Sequence, residues 1–569
     1  MTYHAPLKDI EFTLAEIVEA DRLSATALFA EATAETRAAI LGEAARMAEE
    51  ALAPLQRPGD LHPARLENGV VRTSPGFAEG YKAIAEGGWV GMAAAPEHGG
   101  MGLPLTYLTV VNEMMASACL SLSLCPLMSQ GQIEALEHHA SDELKAIYLP
   151  KLIQGRWTGT MNLTEPQAGS DVGALRAKAE PNGDGTYAIT GQKIYISWGD
   201  NDFAENVCHL VLARLPDAPA GTKGVSLFIV PKFIPNEDGE PGRRNGLQVV
   251  SLEHKMGLHG SPTAVMAYEG ATGWMVGPEN GGMAAMFTMM NNARLGVGVE
   301  GLGVAEAAYQ HALAYAMERK QGRTPTGGAS IVDHADVRRM LTTMKAMTAT
   351  ARAICLDTAV SLDMSRAAAE DAQAAWKARG AFLTPIAKAF STDVGAEVAH
   401  LGVQIHGGMG FVEETGAAQY SRDVRVTAIS EGTNGIQAMD LVGRKLADGG
   451  EAARALLAEV EAAAADPDAP EDLAKLVDEA RLRVAEATEW MVNADKMNDR
   501  FAGAAPYLRA WALLLGGRHH LRAATRDKAR APLAAFHIRQ LMPQVSALLA
   551  AATAGADALY ALDHEALAS

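Results

Sequence analysis

A change of hydrophobic period in the middle of the chain constrains its fold more than any other feature. Between about residues 161 and 275, apolar β-rich runs such as Val207–Ala213 and Gly224–Pro231 are separated by clusters of Pro, Gly and Asn. This is the pattern of strands and turns. On both sides of that segment, long Ala-rich stretches such as Val332–Leu362 place apolar residues at helical spacing. The sequence therefore predicts a helical, β, helical order.

The chain has 569 residues, which is more than one hydrophobic core supports, so several domains are expected. We predict a mainly α fold with a central β domain and a C-terminal helical bundle domain. Gly449-Gly450 is the expected boundary of the added bundle, which is interpreted as a four-helix unit. The predicted domains are an N-terminal helical domain at 1–160, a middle β domain at 161–275, a helical domain at 276–446, and the C-terminal helical extension at 451–569.

The composition excludes several classes of protein. Hydrophobic residues make up 48% and charged residues 21% of the chain, as in soluble globular proteins. A formal net charge of −19 argues against a general nucleic-acid binder. No metal site is expected, because the four cysteines are widely spaced; they are interpreted as buried free thiols of a reducing compartment.

No targeting or membrane segment is expected. The stretch Met1–Phe12 is charged and lacks the apolar run of a secretion signal. The best candidate for a membrane span, Val545–Leu562, is broken by Gly555 and Asp557, and we expect no segment long enough to cross a bilayer. A cytoplasmic protein is predicted.

One short stretch, Ala428–Gln437, carries the strongest candidate for chemistry. Glu431 is followed at once by Gly-Thr-Asn-Gly, and a helix is predicted from Ile436. Glycines without a Cβ let the backbone approach a ligand closely, so Glu431 could point into a cleft from this loop. Taken alone, the same stretch is also typical of an acidic region ahead of a helix N-terminus.

Two further segments need an interpretation. Thr186–Gly191 and Lys193–Ser197 are predicted to be strands around a Gly-containing turn, with Tyr195 and Ser197 on the same face. Gln404–Phe411 is a Gly-rich turn, and we assign His406 to that turn rather than to catalysis.

Five motifs in order resemble segments of the acyl-CoA dehydrogenase family, over about residues 75–446. They are Leu163–Asp171, Gly191–Ser197, Glu318–Gly322, Gln404–Gly410 and Glu431–Asn434. The resemblance implies an enzyme that uses FAD to convert an acyl-CoA thioester to the trans-2-enoyl-CoA. It also implies that Glu431 is the base for the α-proton, while the backbone N–H of Glu431 stabilises charge developing on the thioester carbonyl.

The resemblance also implies the remaining site residues. Arg294, which we expect to open a helix after Asn291-Asn292-Ala293, would contact the substrate, as would Gly432. Ser170 would contact both substrate and flavin. The implied FAD-binding residues are Leu163, Thr164, Ser170, Tyr195, Ser197, Arg319, Gln404, Gly408 and Thr433. Arg319 would be supplied to the diphosphate of a flavin bound mainly by a partner subunit. If Glu431 is not the base, Glu165 and Glu413 are the next candidates.

The chain departs from the family at several of these positions. The family most often has Trp and Thr where Tyr195 and Ser197 stand. Gly322 replaces a frequent aromatic residue, and Ser430 replaces a frequent Tyr before the base. The N-terminal extension, the insertion at about Phe233–Asn245 and the helical tail resemble a bacterial subgroup.

Substrate and partners are implied only by that subgroup and by the family. We expect a short acyl-CoA, with 3-(methylthio)propanoyl-CoA as the specific prediction. An electron-transfer flavoprotein is expected as electron acceptor, and a homo-oligomer, preferably a dimer, as the assembly; no nucleic acid or membrane is expected as partner. Two alternatives are an acyl-CoA oxidase, which would form peroxide, and a DNA-associated adaptive-response flavoprotein of the same fold.

Overall fold

A seven-stranded sheet occupies the middle of the chain in the computed structural model, which describes residues 3–569. The strands, including those of two separate hairpins, are β1 Arg65–Glu67, β2 Val70–Arg72, β3 Trp157–Asn162, β4 Lys178–Pro181, β5 Tyr187–Ser197, β6 Asn206–Ala213, β7 Ser226–Pro231, β8 Phe233–Pro235, β9 Pro241–Arg244, β10 Leu247–Leu252 and β11 Thr263–Val276. The sheet order is β3-β6-β7-β11-β5-β4, and β10 also pairs with β11. Only β3 and β6 run parallel; the other pairs are antiparallel.

The apolar runs at the centre of the sheet became buried strands, as predicted. Every residue of β6 and of β7 is buried. Strands buried on both faces are typically continuous apolar runs, because neither face meets water. Val211, Phe228 and Ile189 belong to the apolar core of this sheet.

The prediction of a turn at Gly191 was wrong. Tyr187–Ser197 is one continuous strand, β5, which pairs with β11 from Tyr187 to Ser197. Gly191 has φ +153°, and a Cβ there would lie 2.9 Å from Cα of Ala177. Glycine at this position therefore permits the close approach of a neighbouring chain segment rather than a reversal of direction.

The chain divides into two compact units. Unit 1 holds the whole sheet; apart from a short N-terminal piece ending at Ala5, it consists of Glu43–Leu103 and Met114–Ala293. Unit 2 consists of Pro6–Gly42, Pro104–Glu113 and Arg294–Ser569. Three of the boundaries fall inside helices, namely Ala34–Met47, Leu105–His139 and Gly282–Glu318.

The helix Leu105–His139 corrects one expectation from the sequence. It has 35 residues and a mean hydropathy of 1.4 in its most apolar window, enough to cross a membrane by length and composition. The expectation that no segment is long enough was therefore wrong. However, 94% of that window is buried within the fold, as in the core helix of a soluble protein. The stretch Tyr107–Leu127 has few charged residues and is largely buried, so a core helix accounts for its composition.

The other helices follow the predicted order. Ahead of the sheet they are Leu7–Phe12, Ala34–Met47, Gln56–Leu61, Phe77–Glu86 and Asp142–Ile153. After Gly282–Glu318 they are Ala335–Ala367, Glu370–His406, Gly408–Phe411, Ala417–Val424 and Asn434–Asp440. The C-terminal extension contains Glu451–Ala464, Glu471–Asn493, Met497–Ala502, Ala504–Arg526, Ala531–Phe536, Gln544–Ala552, Asp557–Tyr560 and His564–Ala568. The predicted fold class, mainly helical with a central β domain and a helical extension, is confirmed.

Two glycines bring helices Gly282–Glu318 and Glu370–His406 unusually close together in unit 2. A Cβ on Gly298 would lie 2.9 Å from the carbonyl oxygen of Ala387. A Cβ on Gly301 would lie 2.5 Å from the carbonyl oxygen of Ser391. Glu300 lies between these two glycines in the sequence. The close contact of the two helices therefore packs the turn that contains Glu300 against the turn that contains Lys388.

Within unit 2, the C-terminal extension holds the N-terminal segment. Arg522 donates from Nε to the backbone oxygen of Glu16 at 2.6 Å, and Arg530 Nη2 lies 2.9 Å from Asp9 Oδ1. The guanidinium of Arg530 also lies 3.8 Å from the ring centroid of Phe12. The N-terminal segment and the C-terminal extension, which are far apart in the sequence, thus pack together within unit 2.

The cysteines are buried and unpaired, as predicted. Cys119, Cys125, Cys208 and Cys355 all lie in the interior with free thiols. Burial raises the pKa of the Cys208 thiol, so it is protonated at neutral pH and unreactive.

Candidate active site

Glu431 lies on a strained loop just ahead of helix Asn434–Asp440, as the sequence predicts. Glu431 has φ +55° and Gly432 has φ +83°, so two successive residues adopt the left-handed region. This conformation costs energy for a non-glycine residue and persists where neighbouring contacts enforce it. At Gly432 a Cβ would lie 2.8 Å from Nε2 of Gln437, so a larger residue cannot be placed there without displacement.

Side chains from two helices fix the backbone of this loop. Gln437 donates from Nε2 to the carbonyl oxygen of Glu431 at 3.1 Å. Lys388 donates from Nζ to the carbonyl oxygen of Gly432 at 2.8 Å and to Oδ1 of Asn434 at 3.0 Å. The oxygen Oγ1 of Thr433 accepts the N–H of Ile436 at 3.2 Å and caps the following helix.

Asn434 ties the same loop to helix Glu370–His406. Its Nδ2 donates to Oδ1 of Asp393 at 2.7 Å and to the carbonyl oxygen of Ala389 at 3.1 Å. Lys388 is not part of a motif noted in the sequence, and Gln437, the last residue of the stretch Ala428–Gln437, was given no role there. The signal that could have found Lys388 is its position as a lone charge in the apolar run Ile386–Phe390, because a buried charge needs partners.

The surroundings of Glu431 favour its protonated form more than water does. Burial raises the pKa of Glu431 to about 7, while the positive charges of Lys388 and Arg294 oppose that rise. Glu431 nevertheless keeps part of its surface open to solvent. A half-buried carboxyl that titrates near neutral pH is suited to accepting a proton.

Glu300, which the sequence analysis did not single out, is a second carboxyl with a raised pKa near Glu431. Glu300 is 5% exposed. Burial, and then the charge of Glu431, raise the pKa of Glu300 to about 8, against the opposing charge of Lys388. Burial lowers the pKa of Lys388 to about 8, while Glu431, Asp393 and Glu300 oppose that shift. The sequence signal that could have found Glu300 is its position as an acidic residue inside the glycine-rich apolar run Gly296–Gly303.

Arg294 does not open a helix, which corrects the sequence interpretation. It lies inside Gly282–Glu318, is 6% exposed, and its Nη1 is 3.5 Å from Oδ2 of Asp440. The segment Asn291-Asn292 looked like a helix start because both residues favour caps, yet both are helical here. Burial lowers the pKa of Arg294, and Asp440 opposes that shift. The structure places Arg294 close enough to Glu431 for their charges to interact.

In unit 1, a buried ion pair fixes the loop that begins at Leu163. Lys193 donates from Nζ to the carbonyl oxygen of Leu163 at 3.0 Å and to Oε1 of Glu165 at 2.8 Å. The other oxygen of Glu165 accepts the N–H of Arg176 at 2.7 Å. Burial alone would raise the pKa of Glu165, but the charge and hydrogen bond of Lys193 lower it. Glu165 is thus a structural anion, which argues against it as an alternative base.

The loop from Leu163 to Ser170 presents both backbone and side chains. The carbonyl oxygen of Thr164 accepts the N–H of Ile194 at 2.9 Å, which joins the loop to β5. Leu163 is buried, Thr164 is half-buried and Ser170 is exposed. Their proposed contacts with a ligand stay predictions.

Tyr195 occupies a β-bulge, so simple alternation along β5 fails there. Lys193 pairs with Met266 and Ile196 with Ala264, which leaves one extra residue on β5. Tyr195 has φ +60°, and its side chain is 61% exposed. Because the bulge interrupts the period of two, the argument that Tyr195 and Ser197 share a face does not hold. Such bulges re-aim side chains, here an aromatic ring toward solvent.

The remaining candidate residues lie in unit 2 at two helix ends. Arg319 follows the last residue of Gly282–Glu318 and is exposed, as are Gln404 and Gly408. Gly407, with φ +61°, separates helix Glu370–His406 from the short helix Gly408–Phe411, and Phe411 is 88% exposed. Glu413 is paired with Arg422 at 2.9 Å.

His406 is the last residue of helix Glu370–His406 rather than part of the predicted Gly-rich turn, and its contacts are structural. Its Nδ1 lies 2.7 Å from the carbonyl oxygen of Gly402, and its ring stacks on Tyr315 with centroids 4.4 Å apart. It is 3% exposed. Burial lowers the pKa of His406, so the ring is neutral.

These groups fit FAD by their chemistry. Tyr195 offers an exposed aromatic ring to a flat ring system, and Thr164 and Ser197 offer hydroxyls. The exposed guanidinium of Arg319 suits a diphosphate, and an added Cβ on Gly408 would meet no atom within 4 Å, so its backbone is open to approach.

A separate cavity in unit 2 contains none of the predicted site residues. It has a volume of about 470 Å³ and is lined by charged and apolar residues of the N-terminal segment, of helices Ala335–Ala367 and Glu370–His406, and of the C-terminal extension. Arg379 at its wall pairs with Asp357 and Glu459, each at 2.8 Å. Arg379 is therefore already paired with carboxylates of the cavity wall. We accordingly place the candidate active site at Glu431 and not in this cavity.

Four family models match the chain in order. They are the acyl-CoA dehydrogenase N-terminal domain at residues 34–156, the middle domain at 160–271, the C-terminal domain at 280–447, and the acetyl-CoA dehydrogenase C-terminal-like domain at 456–563. Together they extend from the N-terminal helices into the helical extension.

Individual proteins are similar over most of the chain. The 3-methylmercaptopropionyl-CoA dehydrogenase of Ruegeria pomeroyi is 47% identical over 519 residues, which cover 89% of this chain and 88% of that protein. The structure of Caenorhabditis elegans ACDH-11 in complex with C11-CoA matches with a TM-score of 0.79 at 20% identity, covering 94% of this chain and 91% of that one. A Bacillus anthracis acyl-CoA dehydrogenase complexed with FAD matches with a TM-score of 0.76 at 21% identity, covering 92% and 88%. At these identities, the two structures establish the fold.

Proposed function

We propose that this chain, which belongs to the acyl-CoA dehydrogenase family, uses Glu431 as the base that removes the α-proton of an acyl-CoA thioester. FAD-dependent dehydrogenation of acyl-CoA is the activity of the family. The observation that carries the assignment to Glu431 is a half-buried carboxyl, with its pKa raised to about 7, on a loop whose backbone is fixed from two helices.

When bound, FAD supplies the hydride acceptor for the β-hydrogen of the substrate. The carboxylate of Glu431 takes the α-proton on its own oxygen. A base with a pKa near the working pH combines a useful ionised fraction with enough basicity to accept the proton.

The backbone of Glu431 supports a second role. Among residues 3–569, its N–H has no hydrogen-bond acceptor in the structure. A free N–H on a fixed loop can stabilise negative charge that develops on the thioester carbonyl oxygen during proton removal. The positive charge of Arg294 favours the carboxylate form of Glu431. Arg294 and Gly432 are the proposed substrate contacts in this unit.

The residues proposed to bind FAD are those that the family resemblance implies. The proposed contacts are Leu163, Thr164, Ser170, Tyr195, Ser197, Arg319, Gln404, Gly408 and Thr433. The exposed ring of Tyr195 and the exposed guanidinium of Arg319 support this assignment.

The proposed domain boundaries are 1–160, 161–275, 276–446 and 451–569.

The proposed substrate is a short acyl-CoA, specifically 3-(methylthio)propanoyl-CoA. The name of the Ruegeria pomeroyi relative supports it, as does the small side chain of Ser430 beside the base. An electron-transfer flavoprotein is the proposed acceptor of the electrons, and the cytoplasm the proposed location.

A homodimer is the proposed assembly. Phe411 is 88% exposed and Met409 45% exposed at the turn that is proposed to face a partner subunit. Large apolar side chains exposed next to one another often mark an interface.

The function is tested by mixing the purified yellow protein with a panel of acyl-CoA thioesters in the absence of oxygen. The flavin absorbance should bleach fastest with short thioesters, and fastest of all with 3-(methylthio)propanoyl-CoA. A higher kcat/KM for long-chain than for short-chain thioesters would contradict the substrate proposal. A colourless protein that takes up no FAD on reconstitution would contradict the function as a whole.

A further inference from the structure

We infer that Lys388 is a positioning residue for Glu431: its buried ammonium group holds the base-bearing loop and stabilises the carboxylate form of the base, whereas the neighbouring carboxyl of Glu300 opposes that form when it is ionised. This inference rests on the proposed function, since it assigns the residues that support the base. Three observations within unit 2 support it. They are the hydrogen bonds of Lys388, the strained backbone of the loop, and the close contact of the helices that bear Lys388 and Glu300.

The hydrogen bonds of Lys388 act on the residue next to the base. Its Nζ donates to the carbonyl oxygen of Gly432 at 2.8 Å and to Oδ1 of Asn434 at 3.0 Å. Gly432 directly follows Glu431 in the chain, and Asn434 comes two residues after Gly432. Because Glu431 and Gly432 are both in the left-handed region, this stretch needs outside contacts to keep its shape. Lys388 supplies two of them from a buried, well-packed helix.

The charge of Lys388 has few other partners. It is completely buried, and its three N–H groups exceed the two neutral oxygens that they contact. A buried ammonium without a paired carboxylate is costly. The carboxyls of Glu431, Asp393 and Glu300 are close enough to favour its charged form. The positive charge of Lys388 is therefore balanced by carboxyl groups near the base, including Glu431 itself.

Glu300 is brought to this region by the helix contact. Gly298 and Gly301 leave no room for a side chain between their helix and the segment Ala387–Thr392. The turn of Glu300 is thus held against the turn of Lys388. Glu300 is 5% exposed, and it interacts electrostatically with both Lys388 and Glu431.

The charged groups around the base can be named element by element. Helix Gly282–Glu318 contributes Arg294 and Glu300, and helix Glu370–His406 contributes Lys388 and Asp393. After the base, Asp440 pairs with Arg444 at 2.5 Å. Arg294 and Lys388 thus stabilise the carboxylate of Glu431, whereas an ionised Glu300 opposes it. Removing the charge of Lys388 should therefore raise the proton affinity of the base.

The test compares three variants of the FAD-loaded protein with the wild type. K388M removes both the charge and the hydrogen bonds; K388Q removes the charge but keeps a donor for Gly432. E300Q removes a carboxyl without changing the shape of the side chain. The rate of flavin bleaching by acyl-CoA without oxygen is measured from pH 6 to 9.5, with flavin content and circular dichroism as checks on folding.

In both Lys388 variants, the inflection of the rate should move to higher pH by about 1–2 pH units, because an adjacent opposite charge has been lost. The rate at pH 7 should then fall by about 5–50-fold and recover toward the alkaline plateau. In E300Q the inflection should lie at or below the wild-type value. K388Q decides the question if K388M does not fold.

A second measurement needs no turnover. Infrared spectra of the resting protein report the protonated carboxyl band as the pH is changed, with E431Q identifying the band of Glu431. That band should persist to higher pH in K388Q than in the wild type. A wild type that does not bleach with any acyl-CoA would contradict the proposed function. If instead the wild type bleaches, but the Lys388 variants lose rate equally at every pH or E300Q shifts the inflection upward, only the role of Lys388 and Glu300 is wrong.

Discussion

Lys193 and Glu165 form a buried ion pair, with 2.8 Å between Nζ and Oε1, that joins strand β5 to the loop beginning at Leu163. Their side chains are 0% and 4% exposed. Although burial lowers the pKa of Lys193 to about 8, Glu165 opposes that shift, and the pair is ionised at neutral pH. The pair therefore fixes two segments that are both proposed to contact the flavin.

Removing one member of this pair should be more damaging than removing both. K193M leaves the Glu165 carboxylate buried without its cation, and we expect a loss of about 3–5 kcal/mol in the free energy of unfolding. The double variant K193M/E165Q should recover part of that loss, since no unpaired charge remains buried. Chemical denaturation of the three proteins, with retained flavin measured in parallel, checks this. A double variant less stable than K193M would contradict it.

The strands and the base loop could be predicted because local sequence carries their signals. β6 and β7 are continuous apolar runs, and Glu431 is followed by Gly432 and by the helix cap Thr433. The family resemblance drawn from the motifs was confirmed by the family models.

Other features depend on contacts between distant residues. The bulge at Tyr195 arises from its pairing with β11, which alternation along β5 does not reveal. Asn291 and Asn292 resemble a helix start, but tertiary packing carries the helix through them. The neighbourhood of Glu300, Lys388 and Glu431 exists only after two helices pack through Gly298 and Gly301. No local pattern records that contact.

Arg319 should be needed for tight FAD binding, and it should act on the flavin of the partner subunit. R319A is expected to weaken FAD binding by about 10–100-fold, because a charged hydrogen-bond donor is worth about 1.5–3 kcal/mol. Reconstitution of the flavin-free protein, followed by flavin fluorescence, measures this affinity. R323A, in the same exposed loop, is the matched control and should bind FAD like the wild type.

Mixed dimers of R319A and E431Q subunits distinguish the two possible arrangements. If Arg319 serves the partner's flavin, one site of each mixed dimer has an intact Arg319 and an intact base, so activity should return. If Arg319 serves its own subunit, both sites are defective and mixing restores nothing. The second result, or an active monomer in light scattering, would contradict the shared site.

Acid should destabilise the protein through buried neutral histidines of the C-terminal extension. Burial lowers the pKa of His519 to about 3 and of His520 to about 4, and also lowers that of His537. Unfolded histidine has a pKa of about 6.5, so below that pH the unfolded state binds more protons. Each such group should remove about 1.4 kcal/mol per pH unit once the pH is well below 6.5.

Glu431 and Glu300 act in the opposite direction. Their raised pKa values favour the folded state at low pH, and this contribution is lost as the pH rises through about 7 and about 8. Stability should therefore be greatest near pH 6–7. In denaturation curves at several pH values, H520Q should show a shallower acid loss than the wild type. H564Q, which changes an exposed histidine, should leave the slope unchanged; an unaltered slope in H520Q would count against the histidine mechanism.

Glu431→Gln should preserve the fold, the bound FAD and most of the acyl-CoA affinity, yet abolish dehydrogenation. The amide has nearly the shape of the carboxyl, and the loop backbone is held from outside by Lys388 and Gln437. The amide cannot accept the α-proton, and the loss of a general base alone costs about 10²–10⁴-fold in rate. Mixed with substrate in the absence of oxygen, the wild type should bleach, while the variant should change its flavin spectrum on binding and remain oxidised. Bleaching of the variant at close to the wild-type rate would show that Glu431 is not the base. Because Glu165 is bound in an ion pair and Glu413 is paired with Arg422, Glu300 would then be the first carboxyl to replace.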